Sequence, residues 1–240
     1  MASISLCPSP GHTIKAFLKI FLIAWESAIT AYRPYSISSF GPSHFGEKHL
    51  KVTIDFSSRG GWPEGATEAE KIAFTTLYTC DIFCAMFLKV VRARLEPYQA
   101  SVEYILVLPK PLLTLVPGDE KPNVLHAILL VTTKEYSEII FDGTGEQFFW
   151  PKSSAIIDGE EFWDLYANEK VDEKYIQRYS LGEFEKADNG YWFRVGISLH
   201  QMLSDLDWES FGETLSPVRE EQIRAESERR ARAAAKVTWG

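Results

Sequence analysis

HAILLVTTKEYSEIIFD, residues 126–142, is the stretch on which the reading turns. Two runs rich in aliphatic and β-branched residues are separated by Thr133, Lys134 and Glu135. Strands this close in sequence are most economically joined as an antiparallel hairpin. Side chains alternate along a strand, so His126, Ile128 and Leu130 share one face of the first, and Tyr136, Glu138, Ile140 and Asp142 share one face of the second. With a three-residue loop, Thr132 pairs with Tyr136 and His126 comes opposite Asp142, their Cβ atoms about 4.5–5.5 Å apart. A loop one residue shorter would send the two side chains to opposite faces.

Working outward, Val102 to Leu108 reads as a third strand, Val124 to Thr132 and Tyr136 to Phe141 being the hairpin. These three form the core sheet. The stretch carrying Pro109, Pro111, Pro117, Gly118 and Pro122 reads as a loop, as do Pro34 to Gly46 and Ser57 to Gly65, with a strand from His49 to Phe56 between them. No Pro or Gly interrupts Thr67 to Leu95, and Thr67 with Glu70 suits a capping box. That segment is either one long helix or two helices broken near Thr75 to Thr79. Glu160 to Asn168 and Glu173 to Tyr179 read as short helices, while Gly190 to Leu199 fits strand or helix. The fold class is α+β: an antiparallel sheet packed against a central cysteine-bearing helix.

At the N-terminal end, Ile14, Phe17, Leu18, Phe21, Leu22, Trp25 and Ile29 recur at helical spacing and predict a core helix from Ile14 to Tyr32 with one buried face. Lys19 and Glu26 break the run short of the roughly 18 to 20 apolar residues of a membrane span, and no cationic start or clean cleavage site marks a signal peptide. At the other end, residues 217–240 form a charged, helical tail after a single domain over residues 1–216. Pro217 to Trp239 carries six Lys or Arg and four Asp or Glu, which predicts a solvated helix laced with i, i+4 pairs.

The 240 residues include 45% apolar side chains, enough for one core, and 13% aromatics, which excludes extended disorder. A net charge of −8 with no basic stripe argues against nucleic acid as a partner. Cys7, Cys80 and Cys84 are an odd number, and a disulfide framework is not the natural reading. A reducing, cytoplasmic setting is.

A histidine oriented by a carboxylate can serve as a general base, or simply be a structural hydrogen bond. A thiol on the preceding helix adds a nucleophile. The break near Thr75 to Thr79 would put Cys80 in a first turn capped by Thr79, where helix amides and an imidazolium stabilise a thiolate. Cys84, one turn deeper, would be a buried apolar residue. Cys80, Cys84 and His126 lack a fourth ligand at a usual spacing, so no zinc site is expected. Walker and dinucleotide fingerprints are absent from the sequence, and no cofactor is called for. His12, His44 and His49 fall in loops or at loop edges, and His200 at a helix surface.

The order Cys80 on a helix, His126 at the start of a strand after a Pro-rich loop, and Asp142 at the end of the next strand resembles the papain-like and transglutaminase-like superfamily of cysteine peptidases and acyltransferases. The phrase Ile140 to Phe148 is similar to an Asp-x-Thr-x-x-Gln-Phe stretch following the acidic member in some of its branches. The resemblance covers roughly Thr67 to Trp150. It implies Cys80 as nucleophile, His126 as its base and Asp142 as the residue orienting the ring. No glutamine precedes Cys80, so the Cys80 amide and Trp62, together with Gln147 from the shared phrase, are the substrate or oxyanion contacts to examine. The expected function is a thiol-dependent hydrolase or acyltransferase using a small-molecule or peptide acyl substrate. The alternative is a binding or scaffolding protein that keeps the fold without the chemistry.

Overall fold

A computed structural model describes residues 10–31, 35–58, 60–119, 121–122, 125–172, 179–186, 190–208 and 215–239. Helix α1 (Pro10–Thr30) leads into strands β1 (Ser36–Pro42) and β2 (His49–Asp55), then helices α2 (Glu68–Thr76) and α3 (Cys80–Leu95). Strands β3 (Ser101–Pro109), β4 (Thr114–Pro117), β5 (His126–Thr132), β6 (Glu138–Phe141) and β7 (Ile156–Asp158) follow. Helix α4 (Gly159–Leu165), strand β8 (Ala167–Lys170) and helices α5 (Tyr191–Ser204) and α6 (Pro217–Trp239) complete the order. The expected helix over Glu173 to Tyr179 falls largely outside the described residues, as do Cys7 and Val124.

The class is α+β. A five-stranded sheet runs β7-β6-β5-β3-β8 with every pairing antiparallel. Its first face carries Ala127, Leu129, Val131 and Phe141 against α1, α3, α5 and α6, in one core with Trp25, Phe83 and Phe87. Its second face carries Ile105, Ile128, Leu130 and Ile140 against Phe148, Trp150 and Phe162. A buried aromatic or aliphatic side chain contributes about 1.5–3 kcal/mol relative to exposure, so both layers hold the sheet.

The hairpin forms with a longer turn than expected. Thr132 pairs with Glu138 and Leu129 with Phe141, so the register is displaced by two residues and Tyr136 lies in the turn, exposed and with φ of 61°. A shift of two preserves the face of every side chain. His126 therefore still shares a face with Asp142, diagonally instead of directly opposite.

Two stretches expected as loops contain strands. β1 pairs antiparallel with β2, and β4 pairs parallel with it, in a separate three-stranded sheet. Their Ser, Pro and Gly content hides them locally. Both are edge strands, where a proline's missing N–H is tolerated, and β1 shifts register between Ile37 and Ser39.

Helix α1 is buried around most of its circumference, including Ile20, Ile23 and Ala24. The cause is α6, which covers it. The expected solvated helix is present with its Arg229–Glu226, Arg230–Glu226 and Arg232–Glu228 pairs. It also buries Ile223, Ser227, Ala231 and Ala234, a stripe at i, i+4, i+8 and i+11. Lys19 reaches Glu220 at 3.2 Å, and Arg230 donates to the Ser198 carbonyl of α5 at 2.8 Å. Among the described residues no single helix is long and apolar enough to cross a membrane.

Docking of α6 is testable. Ala231 is fully buried and Ala233 exposed. Ala231→Asp forces a carboxylate into an apolar seam and is expected to cost about 3 kcal/mol. Ala233→Asp should stay within about 0.5 kcal/mol. Urea denaturation of both variants checks this, and equal midpoints would mean that α6 contributes nothing to the fold.

Candidate functional site

Residues 67–95 settle into two helices. Thr67 and Glu70 form the expected reciprocal capping box at the start of α2. The chain breaks after Thr76, with Tyr78 at φ of 58°, and α2 and α3 are bent by 67°. Cys80 is the first residue of α3, where a helix's amides have no intrahelical acceptor. Thr79 occupies the cap position but does not cap with its side chain. Its hydroxyl donates to the Thr76 carbonyl at 2.7 Å, stabilising the break instead.

Strand β5 delivers His126 as its first residue, and the turn after β6 delivers Asp142. Nε2 of His126 lies 2.7 Å from Asp142 Oδ2. The other carboxylate oxygen, Oδ1, accepts from the Thr144 backbone N–H at 2.8 Å and the Thr144 hydroxyl at 3.0 Å. This is an Asx-type turn, in which the side chain binds the backbone two residues on. Cys80 lies near enough to the ring to favour its charged form. Gln147 Nε2 lies 3.3 Å from His126 Nδ1, and Gln147 Oε1 accepts from the Tyr78 backbone N–H at 3.4 Å. Phe148 and Trp150 close the imidazole in, edge to face, at 5.0 and 5.5 Å between centroids.

The site is dry: Cys80 is 3% exposed, His126 0% and Asp142 1%. Burial by itself would keep His126 neutral. The Asp142 charge and hydrogen bond, with a smaller contribution from Cys80, outweigh burial and raise the ring's pKa from 6.5 to about 10. The neutral ring accepts at Nδ1 from the Gln147 amide nitrogen. Cys84 is fully buried, and desolvation pushes its thiol well above the usual cysteine range. Cys80 is thus the thiol that meets the ring, and Cys84 the one removed into the core. The Tyr104 hydroxyl donates to Asp81, tying the first turn of α3 to β3.

The structure therefore brings Cys80, His126, Asp142 and Gln147 together. Trp62, expected as an oxyanion donor, packs perpendicular to Phe74 at 6.0 Å in the core of the small sheet. It lines a cavity between α1, α2 and the Gly143–Glu146 turn, and that cavity is lined by neither Cys80 nor His126. The Cys80 side chain is buried. His200 is half-buried and binds the Met86 carbonyl through Nε2 at 2.6 Å. His49, at the edge of a loop, begins β2 and keeps a buried Nδ1 without a hydrogen bond.

Thr144 and Gly145 were not picked out from the sequence as positioning residues. The Asp-x-Thr spacing was a usable signal for the first. A Cβ at Gly145 would come 2.8 Å from Asp142 Oδ2 and 2.7 Å from the Trp150 ring. Gly145→Ala should therefore push the carboxylate off His126 and cost about 1–3 kcal/mol by overpacking. The check is NMR titration of the His126 ring alongside urea denaturation. An unmoved ring pKa would mean that the turn absorbs the methyl group elsewhere.

Comparison of the chain with protein-family models, with curated proteins and with solved structures returned no match.

Proposed function

We propose that the protein is a thiol-dependent hydrolase or acyltransferase of papain-like or transglutaminase-like type, acting on a small-molecule or peptide acyl group in the cytoplasm. One observation carries this reading: His126 is held by Asp142 at 2.7 Å, with Cys80, at a helix N-terminus, near enough to favour the ring's charged form. Sγ attacks the acyl carbonyl as a thiolate paired with the charged imidazole, and the imidazolium gives its proton to the leaving group as the carbonyl–leaving-group bond breaks; the neutral ring then takes a proton from the incoming nucleophile. The acyl–Cys80 thioester is thereby released to water or to another nucleophile, regenerating the thiolate. Asp142 keeps the ring in one orientation and stabilises its charged form. The chemistry needs no cofactor, and the free Cys80 and Cys84 suit a reducing compartment.

The burial of Cys80 favours a second reading, a binding or scaffolding protein in which the same three residues are a structural hydrogen-bond cluster. Incubation near neutral pH with iodoacetamide, and separately with a panel of acyl thioesters and amino-acid or peptide conjugates, followed by peptide mapping, distinguishes them. The enzyme reading expects modification at Cys80 and none at Cys84. Absence of any adduct at Cys80 in the folded protein overturns it in favour of the scaffold.

A further inference from the structure

The cavity between α1, α2 and the Gly143–Glu146 turn has a volume of about 270 Å³. A water takes about 30 Å³ of liquid, so the space suits a molecule on the order of nine non-hydrogen atoms. Part of its wall is apolar: Trp25, Ile29, Trp62 and Ile72. The rest is charged, and most of that charge is already matched. Lys71 is paired with Glu68. Lys152 binds Glu26 at 2.7 Å, and Arg224 is shared between Glu26 and Glu220 at 3.8 and 3.4 Å.

Glu146 is the exception. It lines the cavity, is half-buried, and among the described residues its carboxylate makes no hydrogen bond and no ion pair. Burial and the nearby Glu26 and Asp142 charges raise its pKa, with Lys152 only partly opposing them. A half-buried carboxylate without a partner is partly desolvated, and a cation brought beside it offsets that cost.

We infer that this cavity is a binding site for a small organic ammonium with an apolar or aromatic body, its charged nitrogen on Glu146 and its body on Trp62, Ile29 and Ile72. An anion would meet the unmatched Glu146, and a neutral molecule would leave it unpaired. The site does not depend on the thiol chemistry proposed above, because neither Cys80 nor His126 lines it.

The experiment uses the full chain and three matched probes: phenethylamine, 2-phenylethanol and 3-phenylpropionate. Binding is measured by protein-observed NMR and calorimetry near pH 7. Phenethylamine should bind at least tenfold more tightly than the alcohol or the carboxylate. Glu146→Gln should reduce that binding about tenfold while leaving 2-phenylethanol unchanged, and Ile72→Trp, which fills the cavity, should weaken it in a chain that still folds. Cys80→Ala should bind phenethylamine as the wild type does, so a failure of catalysis and a failure of this site are read separately. Equal affinities for the three probes, no detectable amine binding, or amine binding indifferent to Glu146→Gln would each overturn the assignment.

Discussion

Cys80→Ala is expected to lower kcat/KM for the best acyl substrate at least a thousandfold, with loss of the acyl adduct seen by mass spectrometry. The size follows from the proposed role. Removing a covalent nucleophile leaves only positioning and binding, and no neighbouring group takes over. Cys84 cannot substitute, since it is fully buried one turn deeper in α3. Because Cys80 is itself buried, the alanine variant leaves only a small void and should fold, so lost turnover with an unchanged urea midpoint isolates the chemical role. Asp142→Asn should lower turnover by about 10²- to 10⁴-fold, as the asparagine no longer stabilises a charged imidazole. Unchanged turnover in Cys80→Ala would remove the thiol from the mechanism altogether.

The second large effect is on stability against pH. His126 titrates near its ordinary 6.5 in the unfolded chain and at about 10 in the folded one. Below about pH 6.5 both states hold the proton and the pairing contributes in full. Between about pH 6.5 and 10 the folded state holds a proton that the unfolded state has released, so stability falls as pH rises, and the contribution is gone above about 10. Each pKa unit corresponds to about 1.4 kcal/mol, so the total is on the order of a few kcal/mol. Urea midpoints measured from pH 6 to pH 10 should therefore decline, and Asp142→Asn should flatten the slope. Asp142→Ala, which strips a buried charge of its partner, should cost about 3–5 kcal/mol near neutral pH. A flat wild-type profile would show that His126 titrates at similar pH folded and unfolded.

What was legible in the sequence was local. Strand alternation has a period of two, so placing His126 and Asp142 on one face required only the parity of the hairpin. The observed register differs by two residues and keeps that parity. Likewise the Thr67–Glu70 box and the burial of Cys84 follow from short-range patterns, whereas the break before Cys80 was one of two alternatives the sequence left open. Turn length escaped because Ser137 and Tyr136 carry nothing that excludes a longer turn.

Tertiary structure decided the rest. β1 and β4 become strands because β2 supplies their hydrogen-bond partners, which no reading of Ser-, Pro- and Gly-rich segments in isolation reveals. Helix α6 docks through Ser227, Ala231 and Ala234, residues too small to register as an apolar stripe but well shaped for close approach to α1. Gln147 reaches His126, and Glu146 is left facing a cavity, because one short turn after Asp142 presents neighbouring side chains to different surroundings. The sequence by itself determined which residues could share a strand face or a helix turn, since those periodicities are properties of the backbone. Which thiol meets the imidazole, and which charges stay unmatched, depended on where separate segments pack, since those contacts join residues tens of positions apart.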